Sequence, residues 1–127
     1  MRRIANELLE SKGVAVSFIV TGGVEELKLP MNARKELLLI YKEAVHNASK
    51  YAEARNVSIH LSRAHGTLSL SVKDDGKGFD HALHPDGHGL GSMQRRGTTL
   101  GSMVLIESMM GEGTRISIQV DLTRIRD

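Results

Sequence analysis

The sequence predicts a layered α/β fold with a mixed sheet. Helical and strand patterns are interleaved along the chain, two pairs of strand patterns are joined by short glycine-containing links that read as hairpins, and one long amphipathic helix separates the first strand from the rest. The 127 residues, 40% of them hydrophobic, are expected to form one domain over 1–127, because a chain of this size buries about two-thirds of its unfolded surface. Aromatic residues make up only 3% and Trp is absent, so the core must come from Leu, Ile, Val, Met and Ala.

Each element has a local cause. Arg2 to Ser11 carries apolar residues at Ile4, Ala5, Leu8 and Leu9, a helical spacing closed by Gly13. Val14 to Val20 is rich in β-branched residues and ends at Gly22-Gly23, which reads as a strand. After Pro30, Asn32 to Ala52 is the longest helical pattern, with Leu37, Ile40, Tyr41, Ala44 and Ala48 on one stripe. Val57 to Ser62 and Leu68 to Val72 alternate apolar with polar residues across the link Arg63-Ala-His-Gly66, an antiparallel hairpin. Asp74 to about Gly89 has few core residues and reads as a loop. A helix from about Leu90 to Leu100 follows, then strands at Met103 to Glu107 and Thr114 to Val120 joined by the turn Gly111-Glu-Gly113.

Composition excludes several function classes. Without Cys there is no disulfide framework and no Cys-ligated zinc or iron–sulfur site, which suits a reducing, cytoplasmic setting. No apolar run approaches the roughly 20 residues needed to span a bilayer, and Met1-Arg-Arg is not followed by a signal-peptide core, so no membrane contact is expected. Net charge is +2, with 17 basic and 15 acidic residues scattered rather than clustered, and two Tyr and two Phe make no base-stacking platform. Nucleic-acid binding is therefore not expected.

Three segments can carry chemistry. On the long helix, Glu43, Asn47 and Lys50 lie four and three positions apart and share one stripe. An Asn carbonyl oxygen suits Mg²⁺, which prefers oxygen ligands completed by water and phosphates, and Glu43 could orient a water or accept a proton. The bland alternative is a solvated helix face. In Val72-Lys-Asp-Asp-Gly-Lys-Gly-Phe79 a strand runs into two acids and two glycines. A carboxylate there can accept the exocyclic amine of adenine and would repel the carbonyl of guanine, while glycines let the ring approach the backbone. A plain strand-ending turn is the alternative. Finally, Gly87, Gly89 and Gly91 precede a helix, where backbone amides can face an anion.

Other motifs fail. The Walker ending Gly-Lys-Ser/Thr is missing, the dinucleotide fingerprint would have to follow the first strand, and the acids do not repeat every second residue as in an EF-hand. His81, His84 and His88 have a suggestive spacing for zinc but no fourth ligand close by. His46 reads as a packed or capping residue, and the sequon Asn47-Ala-Ser49 as incidental on a helix.

With these segments placed, the chain resembles the ATP-binding catalytic domain of sensor histidine kinases, in the wider GHKL family that includes DNA gyrase and a heat-shock chaperone. The likeness spans about residues 2 to 122. Leu39-Ile-Tyr-Lys-Glu-Ala-Val-His-Asn-Ala-Ser-Lys-Tyr-Ala52 is similar to the N box, Asp74-Asp-Gly-Lys-Gly-Phe79 to the G1 box, Gly87-His-Gly-Leu-Gly-Ser-Met-Gln-Arg-Arg96 to the G2 box, and Gly111-Glu-Gly-Thr114 to the final glycine-threonine element. The resemblance implies a two-layer α/β sandwich of the Bergerat type with a mixed, largely antiparallel sheet. By it, Asn47 would bind Mg²⁺, Glu43 would assist the chemistry, Asp74 would bind the adenine amine and Thr114 would support Asp74. Gly76, Gly78, Gly87, Gly89 and Leu90 would shape the lid and phosphate sites, with Lys50 a phosphate contact. Tyr51 and Ser102 depart from the pattern, standing where many relatives have His and a second Gly.

The implied function is to bind Mg·ATP and donate its γ-phosphoryl group to a histidine on a separate dimerisation domain, in two-component signalling, with a response regulator as the indirect partner. The phosphoacceptor domain is not expected within these 127 residues. Two alternatives stay open: a stand-alone serine kinase of the anti-sigma type, and an ATP-dependent regulatory binding module without turnover.

Overall fold

The computed structural model describes residues 2–24, 27–50, 53–78 and 90–124. Helix α1 (Arg2–Leu9) buries Ala5 and Leu9 and runs into a 3-10 turn at Glu10–Lys12. Gly13 ends it in the left-handed region at φ 77°, its N–H bonding the Glu10 carbonyl at 3.0 Å, a conformation only glycine adopts cheaply. Strand β1 (Ala15–Thr21) follows, then helix α2 (Met31–Lys50), β2 (Asn56–Ala64), β3 (Thr67–Asp74), helix α3 (Leu90–Thr99), β4 (Val104–Met109) and β5 (Gly113–Asp121).

The five strands form one mixed sheet in the order β1-β2-β3-β5-β4. Only β1 and β2 run parallel, as their long connection through α2 allows; the other pairs are antiparallel. This is the layered α/β fold with a largely antiparallel mixed sheet that the sequence predicts. The β2–β3 strands run further than the alternation suggests, to Ala64 and from Thr67, leaving only His65-Gly66 as the turn. Both turn residues have positive φ, 52° and 76°, which is the twist a two-residue hairpin needs. Likewise β4 continues past Glu107 to Met109, because Ser108 and Met109 pair with Thr114 and Gly113.

The helices cover one face of the sheet. Registers place residues across that face in rows: Leu61, Leu70, Ile118 and Val104 form one, and Ile59, Val72, Ile116 and Ile106 the next. Against them α2 lays Leu37, Ile40, Tyr41, Ala44, Val45 and Ala48, all buried. Tyr41 is fully buried, which raises its phenol pKa well above the usual value. The opposite face carries Ser58, His60, Ser71, Lys73, Arg115 and Ser117, and a shallow depression of about 600 Å³ there is lined largely by serines, His60 and Arg115.

Helix α3 is seated tightly. Met93 is fully buried, Gln94 donates from Nε2 to the Val104 carbonyl at 2.8 Å, and a Cβ on Gly97 would lie 2.9 Å from Val104 Cγ2. Ser102 joins this corner to the sheet: its N–H bonds the Gly97 carbonyl at 2.9 Å and its hydroxyl donates to the Gln119 carbonyl. Among the described residues, no helix is long and apolar enough to cross a membrane.

Candidate functional site

The next row along the helix-covered face breaks the apolar pattern. Val57 on β2 is followed by Asp74 on β3, Thr114 on β5 and Ser108 on β4. Asp74 is only 6% exposed and Thr114 8%, the two buried polar side chains of the described core. Burying polar groups costs free energy unless they are bonded, so two buried ones in register, with the half-buried Ser108 beside them, at one end of a hydrophobic face mark a site rather than a packing solution.

Asp74 is held from below by backbone. The Gly76 N–H donates to Asp74 Oδ1 at 2.9 Å, and the Thr114 N–H also reaches the carboxylate. Burial raises the Asp74 pKa above the ordinary aspartate value; the two N–H donors oppose that shift, and the neighbouring Asp75 adds to it. The adjacent carboxylate has a different task. Asp75 is exposed and turned to β2, accepting from Arg55 N and Asn56 N, both at 2.9 Å, and from Asn56 Nδ2 at 2.8 Å. The Asn56 side-chain amide, followed by backbone donors, lowers its pKa. Asp74 thus faces the site and Asp75 stitches the loop to the sheet.

Glycines bring backbone close at this end. Gly113 has φ 84° and a Cβ there would overlap the Asp74 carbonyl oxygen; Gly78 has φ 65° and a Cβ would overlap the Met109 carbonyl oxygen. Gly111 N donates to the Lys77 carbonyl at 2.6 Å, so the β4–β5 turn and the loop after β3 are tied together. Ser108 completes the row, its Oγ 2.8 Å from Thr114 Oγ1 and 3.3 Å from the Gly113 carbonyl oxygen. The sequence reading missed Ser108 because it ended β4 at Glu107; the alternation Val104, Ile106, Ser108 was the available signal.

On α2, Glu36, Glu43 and Asn47 recur at spacings of seven and four, one stripe of the helix. Glu36 accepts from Arg96 Nη1 of α3 at 3.1 Å, which places this stripe on the side of α2 that meets α3. Glu43 and Asn47 are both half-buried, and Asn47 Oδ1 is a buried carbonyl oxygen that accepts no hydrogen bond among the described residues. A neutral amide oxygen in such a position fits the oxygen-ligand preference of Mg²⁺. Leu90, 1% exposed, opens α3. Lys50 ends α2, but its side chain lies outside the described residues, as do Gly87, Gly89, Tyr51 and the three histidines His81, His84 and His88. His46 is exposed, and among the described residues no cluster of three His, Asp or Glu could hold a metal.

Residues 32–124 match the family described as histidine kinase-, DNA gyrase B-, and HSP90-like ATPase. The chain is 29% identical over 122 residues to the sensor histidine kinase LnrJ of Bacillus subtilis, and 30% identical over 106 residues to the sensor protein VraS of Staphylococcus haemolyticus. These alignments cover 96% and 82% of this chain but 30% of each relative, so the chain spans about a third of their length. Among solved structures, the blue-light activated histidine kinase EL346 of Erythrobacter litoralis shares the fold at a TM-score of 0.80 and 20% identity, over 97% of this chain and 41% of that one. Full-length ShkA in complex with AMPPNP does so at 0.70 and 21%, over 94% and 28%. The chain therefore belongs to the histidine kinase-, DNA gyrase B- and HSP90-like ATPase family, as an ATP-binding domain of the histidine-kinase kind.

Proposed function

We propose that residues 1–127 act as one unit that binds Mg·ATP and, joined to a separate histidine-bearing dimerisation domain, donates the γ-phosphoryl group to that histidine. The observation that supports this best is the buried Asp74 carboxylate at the polar end of the helix-covered face, fixed by Gly76 and Thr114 N–H groups. A buried carboxylate with lone pairs to spare accepts the exocyclic amine of adenine and disfavours guanine. Thr114 supports it from the next strand, and Gly76 and Gly78 let the ring lie against backbone.

Asn47 is the residue that would hold Mg²⁺, which supplies charge neutralisation along the phosphates when bound. Lys50, Gly87, Gly89 and Leu90 serve the phosphates and the lid by resemblance to the family. Glu43, one turn before Asn47, orients the incoming acceptor or takes its proton. The chain's own contribution is positioning and a fixed electrostatic environment, which is what phosphoryl transfer chiefly requires. The acceptor histidine and the response regulator are supplied by other domains, and the nucleotide part works on the cytoplasmic side.

Calorimetric titration of the chain with Mg·ATP tests the binding half: binding is expected, with heavy loss in Asp74→Asn. Unchanged affinity in that variant would sink the adenine assignment. Incubating the chain fused to the parent's histidine-bearing domain with γ-labelled ATP tests the transfer half. Acid-labile label on the added domain is expected, and acid-stable label on serine would replace the reading with the serine-kinase one.

A further inference from the structure

We propose that Ser108 is a specificity-determining positioning residue: it orients the Thr114 hydroxyl so that the base-binding end of the site presents hydrogen-bond acceptors only, and thereby sharpens the choice of adenine over guanine. This rests on the ATP-site reading.

Three observations lead to it. Ser108 stands in register with Thr114, and Thr114 with Asp74, so the three side chains form one line on the helix-covered face. In the two rows beyond it, the β4 positions on that same face are Ile106 and Val104, so a hydroxyl at 108 is a departure from an apolar alternation, costly unless it is used. It is used: Ser108 Oγ lies 2.8 Å from Thr114 Oγ1 and 3.3 Å from the carbonyl oxygen of Gly113.

The direction of these bonds follows from proton counting. A carbonyl oxygen only accepts, and a serine hydroxyl has one proton. When Ser108 gives that proton to the Gly113 carbonyl, its own oxygen takes the proton of Thr114. Thr114 Oγ1 is then left with lone pairs on the side away from Ser108, where its cross-strand neighbour is Asp74. The carboxylate and the hydroxyl oxygen together make a surface of acceptors, matched to an exocyclic amine, or to a water that donates to the ring and to Thr114. Guanine offers a carbonyl oxygen where adenine offers the amine, and meets acceptors on both residues. A rotatable Thr114 hydroxyl could turn its proton toward that oxygen and soften the rejection; Ser108 prevents the turn. Discrimination of this kind depends on leaving the wrong ligand's polar atom without a partner.

The test is the ratio of ATP to GTP affinity, measured by calorimetry in the presence of Mg²⁺ on the wild-type chain, Ser108→Ala and Ser108→Thr. Ser108→Ala is expected to lower the ATP-over-GTP ratio about tenfold, the size of one buried neutral hydrogen bond, with Ser108→Thr restoring it. A merely structural role would weaken both nucleotides together and leave the ratio unmoved. An unchanged ratio in Ser108→Ala, with ATP still bound, overturns the proposal. Failure of the underlying reading looks different: the wild-type chain would bind neither nucleotide, or Asp74→Asn would bind ATP as well as wild type does.

Discussion

Arg96 of α3 donates from Nη1 to Glu36 Oε2 of α2 at 3.1 Å, with side-chain exposures of 34% and 18%. This pair joins the helix that opens at Leu90 to the helix that carries Glu43 and Asn47, and shielding from water makes it worth more than an open surface pair. The Arg3–Glu7 pair, at the same distance but 90% and 65% exposed, is the internal comparison. Arg96→Met is expected to cost about 1 kcal/mol of stability, and Arg3→Ala less than about 0.5. Urea midpoints measure both, and equal effects would mean that the interhelical pair is no better than a surface one.

Asp74 and Asp75 are neighbours with opposite pH behaviour. Burial raises the folded-state pKa of Asp74, so its contribution to stability is full below the unfolded carboxyl pKa and is lost as pH rises through the folded value. The Asn56 amide lowers that of Asp75, so its contribution is present above the unfolded pKa and is lost as pH falls through the folded value. In the absence of nucleotide at pH 7, Asp74→Asn is therefore expected to raise the urea midpoint and Asp75→Asn to lower it. The Asp74 difference shrinks as pH falls through its raised folded-state value toward the unfolded one, whereas the Asp75 difference shrinks only as pH falls from the unfolded value through its lowered folded-state value. Shifts of the same sign at pH 7 would show that the two acids do not divide their work as their partners imply.

Glycines at the β4–β5 turn separate conformational strain from collision. Gly111, at φ 83°, has open space where a Cβ would go, so Gly111→Ala should cost about 1 kcal/mol, the price of a left-handed non-glycine residue. Gly113 has nearly the same φ, but a Cβ would run into the Asp74 backbone, so Gly113→Ala adds a forced displacement and should cost about 3 kcal/mol or more. It should also abolish ATP binding, because the displaced strand is the one that carries Asp74. Thermal melts and nucleotide titration of the two variants check this, and equal losses would refute the collision.

Much of this was legible in the sequence because it has local causes. The α2 stripe of Leu37, Ile40, Tyr41, Ala44 and Ala48 faces the sheet as its spacing requires, and Gly13 closes the first helical segment in the left-handed conformation. That an acid just past β3 carries chemistry follows from the alternating strand running into acids and glycines, while the choice of Asp74 comes from the resemblance. What the sequence hid is pairing. Nothing local to Ser108-Met109 says strand; the partners Thr114 and Gly113 across the turn hold them in one. Nor does local pattern tell Asp74 from Asp75, since only the register with Thr114 and the reach of Asn56 turn one inward and the other to β2. The strand order, with β5 between β3 and β4, is likewise a property of the assembled sheet.

Asn47 supplies the last expectation. Its buried Oδ1 is a neutral oxygen one helical turn beyond Glu43, on the stripe that begins at the Glu36 ion pair. If that oxygen ligates Mg²⁺, its loss should remove the metal's help without disturbing the base end of the site, where the Gly76 and Thr114 N–H groups hold Asp74 and Ser108 bonds Thr114 Oγ1. Asn47→Ala should then bind ATP at least about tenfold more weakly than wild type in Mg²⁺, with the difference vanishing in EDTA. Paired titrations with and without the chelator read this directly. A loss of the same size in both conditions would mean that Asn47 shapes the pocket rather than holding the metal, and would move the search for the ligand elsewhere on the α2 stripe.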